Sequence, residues 1–491
     1  MSLASEANLA SLLRASANEG SQRPAVVSGS TRVDYAGLEA RAARCAGLLR
    51  DHGVARGDRV AILLPNVPEF IDAYYGALRL GTIAVPLNFL LKETEIEHRI
   101  EDSSACVLVA PPGRTEGSVP HLDPADAADA VPHSDIAAVE PGDTAVILYT
   151  SGTTGRAKGA ELTHAGLRSV ATTLAALLGV SSNDVVFGAA PLAHVFGQSA
   201  ALNMTIAAGA SVALVSRFEA SAALDLIAEE RVSVFLGVPT MCISLLRAGE
   251  QRGILPQMRV AHCGGSPMPV DALHEFTERF GCPVLEGYGL SEAAGTVTSH
   301  RLRRPVKPGS VGEPIDGMEV SLVDAVDGVG EIRARGAGIM RGYWRNDAET
   351  RAVLSPEGWF ATGDVGYLDD DGYLFLVDRK SDVIIRGGYN VYPREIEEAL
   401  YAHPAIREAV AVGVPHPVLG EEIAALVVLR DAAKADPSEL EAFVRQRIAD
   451  YKCPRLVVLV EDIPHGPSGK VLRREIDRVA LRDQLERTRG A

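Results

Sequence analysis

The run Tyr149–Gly159, YTSGTTGRAKG, places five hydroxyl side chains, three glycines and one lysine directly after the apolar stretch Ala145–Leu148. That is the composition of a phosphate cradle. Gly152, Gly155 and Gly159 admit backbone angles that other residues resist, so N–H groups can converge on an anion. Ser151, Thr153 and Thr154 add hydroxyl donors, and Lys158 supplies positive charge. A Walker A loop would need glycine immediately before the lysine and Ser or Thr after it, whereas Ala157 and Gly159 flank Lys158, so this is a different phosphate binder. Four other short runs carry chemistry. Pro191–Gly197, PLAHVFG, sets His194 and Phe196 between chain-bending residues. Glu286–Glu292, EGYGLSE, combines an aromatic face, close-approach glycines, a hydroxyl and a carboxylate, a set able to sandwich a base, touch a phosphate and hold Mg2+. In Thr362-Gly-Asp364 a carboxylate on a turn can accept both hydroxyls of a ribose, and Pro467–Lys470, PSGK, puts a lysine on a glycine turn. Taken singly, each is equally a surface turn, a structural histidine or a solvated lysine.

The elements that must position these groups alternate in an α/β pattern. Helical spacing over Leu38–Leu49 and Glu69–Leu80 brackets a strand-like Arg59–Leu64. Pro111–Glu140, rich in Pro, Asp, Ala and Ser, reads as a connecting loop before the cradle strand. Arg231–Pro239, Met258–Gly265 and Cys282–Gly289 each run apolar into Gly or Pro, as buried strands do where they end in ligand-binding loops. Near Asp378 the pattern changes. A strand Val383–Ile385, a helix opened by Pro393 and Glu395, strands Ala409–Val414 and Ala424–Leu429, and a capping box of Ser438 with Glu441 mark a separate C-terminal domain. The predicted division is 1–378 and 379–491, since 491 residues exceed one hydrophobic core.

Composition excludes several classes. The balance of 48 basic against 64 acidic residues, a net charge of −16, argues against nucleic acid as a partner and makes local cations such as Lys158, Arg379 and Lys470 informative. No signal peptide or transmembrane run of eighteen apolar residues is expected, and six cysteines without CxxC spacing suit a reducing, cytoplasmic setting.

In order along the chain, YTSGTTGRAKG, PLAHVFG, EGYGLSE, TGD, DRKSDVIIRGGYNVYPREIE and PSGK resemble the adenylate-forming superfamily of acyl-CoA synthetases, luciferases and peptide-synthetase adenylation domains, with fatty-acyl- and aryl-CoA ligases nearest in appearance. The resemblance spans nearly the whole chain. It implies a large N-terminal domain of packed β-sheets flanked by helices, a small mobile α+β C-terminal domain, and ATP, Mg2+ and CoA as ligands. By matching position, Thr150 to Lys158, with Ser151, Gly152, Thr153, Thr154 and Gly155, would hold the β- and γ-phosphates. Glu292 would coordinate Mg2+, Ser291 would touch the α-phosphate, and Tyr288, beside Glu286 and Gly287, would stack on adenine. Gly264 and Gly265 would line the adenine and acyl positions, Asp364 and Arg379 would hold the ribose, and Lys470 would catalyse adenylation. Gly387, Gly388 and Tyr389 would border the CoA tunnel, and His194 its junction with an acyl pocket of Phe196, Ala200, Val238, Gly289, Ala293 and Val297. Those side chains are apolar and mostly small, which predicts a roomy slot for a fatty, aryl or polycyclic acid. No cation accompanies Gly287, which disfavours a malonate-type dicarboxylate. Two departures from the superfamily pattern stand out: Ala157 where proline is usual, and Ser381 at the usual Asp or Lys hinge. The resemblance leaves open a homodimer, transfer to an acyl carrier protein instead of CoA, an enzyme running mainly one half-reaction, and a non-catalytic nucleotide binder.

Overall fold

The computed structural model describes residues 6–114, 119–150, 157–250, 252, 254–380, 382–387, 389–430, 433–465 and 471–489. Two compact units emerge. The first comprises Met1–Ser321, Arg333–Thr362 and Leu368–Phe375; the second comprises Leu322–Ile332, Gly363–Tyr367 and Leu376–Ala491. The architecture is mixed α/β, with the large sheet-rich unit N-terminal and the smaller unit C-terminal, as the sequence predicts.

Two sheets dominate the first unit. One has nine strands in the spatial order Glu313–Pro314, Thr298–Ser299, Val284–Tyr288, Val260–Gly264, Val234–Gly237, Val185–Gly188, Ser211–Leu214, Pro24–Ser28, Thr31–Asp34. Its six central strands are parallel and almost wholly buried, which explains why they read as continuous apolar runs without alternation. A stacked aromatic core lies under them, with Phe187 and Phe235 centroids 5.2 Å apart and Phe276 and Phe280 4.3 Å apart. The helices beginning at Pro239 and Val270 follow their strands directly, Pro239 being fitted to a first helical turn because its missing N–H has no partner to lose there.

The other sheet runs His121–Leu122, Val107–Val109, Arg59–Ile62, Ile83–Pro86, Thr144–Thr150, Lys158–Thr163. Its last pair is antiparallel, with Thr150 facing Lys158 and Tyr149 facing Gly159, so the described ends of the phosphate run, Tyr149–Thr150 and Lys158–Gly159, are the stem of one β-hairpin. Gly159 therefore belongs to a regular strand, not to the cradle, and its need for glycine is spatial: a Cβ there would lie 2.6 Å from Ile147 Cγ2. Thr163 ends the hairpin and caps the helix His164–Leu178, its hydroxyl accepting the Gly166 N–H at 3.0 Å. Pro111–Glu140 contains a short strand, His121–Leu122, and a 3-10 turn, Pro124–Ala128.

The second unit contains a five-stranded sheet, Tyr389–Val391, Ile384–Arg386, Gly420–Leu429 and Ile406–His416, with Leu456–Leu459 parallel to Gly420–Leu429. Ile396, Leu400, Ile423, Val427, Leu440 and Val444 are among its buried core. The capping box differs from the expected one. Pro437 occupies the first helical position, so Asp436 is the cap: its carboxylate accepts the Ser438 N–H at 2.9 Å while Glu439 reaches back to the Asp436 N–H. A further four-stranded sheet, Met318–Val326, Val329–Gly336, Phe360–Leu368, Leu374–Arg379, contributes residues to both units.

Candidate active site

Within the first unit the structure brings together side chains from three distant segments. Lys158 opens the second strand of the hairpin, 13% exposed, ion-paired with Glu349 and 5.4 Å from the ring centroid of Tyr343. The Tyr343 hydroxyl donates to Glu292 Oε1 at 3.0 Å. Lys158 and Glu292, 134 positions apart in sequence, are thus linked through one phenol. Burial, followed by the charges of Glu292 and Glu349, pushes the Tyr343 phenol well above its ordinary value, so it stays a hydrogen-bond donor. Neither Tyr343 nor Glu349 belongs to a run singled out in the sequence. The available signal was Gly342-Tyr-Trp344 ahead of Asn346, whose side chain caps the helix Asp347–Val353 by accepting the Glu349 N–H at 3.2 Å. Ser151, Gly152, Thr153, Thr154 and Gly155 lie outside the described residues; Thr150 closes its strand, and Ala157, half-buried, precedes the next.

The EGYGLSE run leaves the strand Val284–Tyr288 and enters a 3-10 turn, Ser291–Ala293. Gly264 pairs in register with Gly287 on the neighbouring strand. Phe196 stacks on His262 with centroids 5.9 Å apart, and its ring lies 3.7 Å from where a Gly264 Cβ would be; Val238 Cγ1 is 3.5 Å from the same position on Gly265, whose φ is +84°. Phe196, Val238, Gly264 and Gly265 therefore gather at the C-terminal ends of two neighbouring central strands. Ala200, Ala293 and Val297 are fully buried, and Tyr288 and Glu286 nearly so; Glu286 Oε1 accepts the Met268 N–H at 3.0 Å. His194 turns the chain, its Nδ1 accepting the Phe196 N–H at 3.3 Å.

A π-helical segment, Gly197–Asn203, carries Ala200, and such segments recur at functional sites. Sequence periodicity did not reveal it, because a helix widened by one residue per turn breaks the spacing used to find helices. Gln198 within it is wholly buried, and neither its oxygen nor its nitrogen has a hydrogen-bond partner among the described residues; the same holds for Ser199 Oγ. His262 is buried and its pKa falls to about 4, through burial and then the neighbouring His300. It is neutral near pH 7.

In the second unit Arg379 Nε lies 3.3 Å from Asp364 Oδ1. Asp364 stands inside the strand Phe360–Leu368 and not on the turn expected from TGD; Gly363, at φ +72°, supplies the local kink instead. Lys380 N–H donates to the Gly363 carbonyl at 2.8 Å, fixing the Asp364–Arg379 pair. Asp378, at the predicted domain boundary, accepts the N–H groups of Arg379 and Arg394 at 2.7 and 2.9 Å, and burial raises its pKa. Gly387 adopts φ +59°, and the exposed Tyr389 ring lies 4.9 Å from that of Tyr451. Gly388, Ser381 and Lys470 lie outside the described residues. The flanks of the Lys470 run do pair, with an antiparallel bridge between His465 and Val471 and Leu472 N–H donating to the Pro464 carbonyl at 2.8 Å.

The chain as a whole has relatives. The profile of the AMP-binding enzyme family matches residues 13–344, and that of the AMP-binding enzyme C-terminal domain matches 395–470. The chain belongs to the AMP-binding, adenylate-forming enzyme family. It is 34% identical to a long-chain-fatty-acid–CoA ligase of Bacillus subtilis (strain 168), over 95% of this chain and 94% of the relative. A feruloyl-CoA synthase of an Amycolatopsis species is 37% identical over 92% and 95%. Among solved structures, ATP-bound MatB from Rhodopseudomonas palustris superimposes with a TM-score of 0.90, at 31% identity over 98% of this chain and 99% of that one. The o-succinylbenzoate CoA synthetase MenE of Bacillus subtilis, in complex with its acyl-adenylate intermediate, gives 0.87 at 33% identity, over 95% and 97%. The enzyme is accordingly an AMP-forming acid–CoA ligase that works through an acyl-adenylate.

Proposed function

We propose that this ligase activates a hydrophobic carboxylic acid, fatty, aryl or polycyclic, and transfers it to CoA with release of AMP and pyrophosphate. The observation that carries the substrate class is the apolar wall at the C-terminal ends of the central strands. Phe196 and Val238 close on two glycines, Ala200, Ala293 and Val297 are buried, and His262, whose ring stacks on Phe196, is neutral. The relatives act on acids as different as fatty, feruloyl and succinylbenzoate, so the acid is chosen by this wall and not by family membership.

Adenylation brings a carboxylate to the α-phosphorus of ATP, an anion approaching an anion, so positioned cations decide the rate. Lys158 would hold the leaving β- and γ-phosphates and Lys470 would neutralise charge on the reacting phosphoryl group. Glu292 fits Mg2+ by its chemistry: a hard cation takes oxygen ligands, and one carboxylate oxygen is engaged by Tyr343 while the group still offers a second. When bound, the metal supplies charge neutralisation on the phosphates. Asp364 and Arg379 would hold the ribose, Tyr288 the adenine face, and Gly387 to Tyr389 the pantetheine path. A CoA thiol then attacks the acyl-adenylate, and His194 lines the junction without serving as a base, since a thiolate is already nucleophilic. All six cysteines are free thiols, which fits a cytoplasmic setting. No helix among the described residues is long and apolar enough to cross a membrane.

The test is a panel of carboxylic acids assayed separately for ATP–pyrophosphate exchange and for thioester formation. Hydrophobic acids should support both. Activity confined to small dicarboxylates would overturn the substrate class. Normal adenylation with no consumption of CoA and acylation of a carrier protein would replace the second half-reaction.

A further inference from the structure

The segment Met340–Trp344 joins two parts of the site that its own sequence does not advertise. Its backbone runs as an extra strand along the hairpin: Arg341 N–H donates to the Glu161 carbonyl at 2.9 Å, Glu161 N–H to Gly342 at 2.9 Å, and Trp344 N–H to Gly159 at 2.7 Å. Tyr343 pairs with Ala160 across that edge, and its N–H donates to Thr350 Oγ1 at 2.8 Å. At the other end Met340 N–H donates to the Glu292 carbonyl at 2.8 Å. The backbone therefore anchors Tyr343 beside the hairpin and Glu292 without help from its hydroxyl. That hydroxyl then makes one further bond, to the Glu292 carboxylate, while the Lys158 ammonium stands off the ring and pairs with Glu349.

We propose that Tyr343 is a positioning residue for adenylation, orienting the Glu292 carboxylate toward the metal of the metal–nucleotide and keeping it from collapsing onto Lys158. The inference rests on the reading of Glu292 as metal ligand and Lys158 as phosphate clamp. Its physical content is separation of charge. A Glu292 carboxylate free to meet the Lys158 ammonium would be turned away from the metal. The aromatic ring gives Lys158 a weak cation–π seat while its hydroxyl engages the carboxylate elsewhere. Glu349 serves as the exchangeable counterion of the lysine in the free enzyme. Outer-shell hydrogen bonds of this kind orient metal-binding carboxylates, and their loss lowers metal affinity by about 10–100-fold.

The test compares Tyr343→Phe with Glu292→Gln in the full-length enzyme. Two readouts are taken: Mn2+ binding, followed by its EPR signal in the presence of a non-cleavable ATP analogue, and the Mg2+ dependence of ATP–pyrophosphate exchange. Thioester formation from supplied acyl-adenylate and CoA is measured alongside. Tyr343→Phe should weaken Mn2+ binding and raise the half-saturating Mg2+ concentration by about tenfold or more, with thioester formation from the supplied adenylate within about twofold of the parent. If Glu292→Gln weakens metal binding and Tyr343→Phe does not, the inference falls and the assignment of Glu292 stands. If neither variant alters metal binding, the metal assignment falls and the inference with it. An equal loss in both half-reactions of Tyr343→Phe at unchanged metal affinity would reduce the tyrosine to a structural part and overturn the proposal.

Discussion

Replacing His164 by Asn tests whether a buried neutral imidazole limits the stability of the first unit in acid. His164 is 1% exposed, and its Nδ1 accepts the Leu9 N–H at 3.0 Å, a geometry that only the unprotonated nitrogen satisfies. It also opens the helix His164–Leu178, whose N-terminal dipole disfavours a cation. Burial lowers its pKa from 6.5 to about 4 against the opposing charge of Asp143. As the pH falls, the unfolded chain takes up this proton near 6.5 and the native protein only near 4, so the contribution is whole above 6.5 and is lost progressively towards 4. A separation of about two and a half pH units is worth about 3 kcal/mol, with a slope of about 1 kcal/mol per pH unit inside the window. Asn places an amide oxygen where Nδ1 stood, keeping the acceptor for Leu9 and removing the titration. His262, also lowered to about 4 by burial, adds a term of the same sign, whereas Asp72, which burial raises to about 6 against the pull of Arg41, adds one of the opposite sign. The difference between parent and variant is therefore the quantity to read. Urea unfolding followed from about pH 7.5 to about pH 4.5 should show the parent losing about 1 kcal/mol per pH unit more than His164→Asn below pH 6.5, with the two parallel above it. Parallel behaviour throughout would refute the assignment of a neutral, proton-refusing His164.

Three further outcomes are expected. Lys470→Ala should lose about 10²–10³-fold in ATP–pyrophosphate exchange while retaining thioester formation from supplied acyl-adenylate, and an equal loss in both would contradict its confinement to the first half-reaction. Gly289→Ala should destabilise the first unit by about 1–3 kcal/mol and weaken adenylation, because its Cβ would lie 2.0 Å from the Gly295 carbonyl oxygen; Gly142→Ala, with open space around it, should stay within about 0.5 kcal/mol, and equal melting temperatures for the two variants would contradict the packing. Gln198→Leu should raise the stability of the ligand-free enzyme by about 1–3 kcal/mol, since a buried carboxamide without partners gives way to an apolar side chain of similar size, and a lowered melting temperature would show that the amide is satisfied in solution.

Local spacing along the chain determined a good deal. The apolar runs ahead of Gly and Pro mark the buried parallel strands, since strands covered on both faces have no polar side to alternate with. The ordered runs around Lys158, Glu292 and Asp364 disclose the adenylate-forming family, because chemistry on a nucleotide demands particular side chains a few positions apart. That Asp364 and Arg379, from separate runs, meet as an ion pair is seen only in the structure. What the tertiary structure alone decided is how these runs engage one another. Tyr343 becomes the link between Lys158 and Glu292 only when Met340–Trp344 docks as a strand on the hairpin. Glu349 becomes a counterion only when its helix packs there. Gly159 is required by the Ile147 side chain beneath it, not by its own torsion angles, and Asp364 acts from a kinked strand. Side-chain chemistry and period are properties of a few neighbouring residues and can be read in order; hydrogen bonds and steric gaps between paired or docked segments depend on register and docking, which the linear order does not contain.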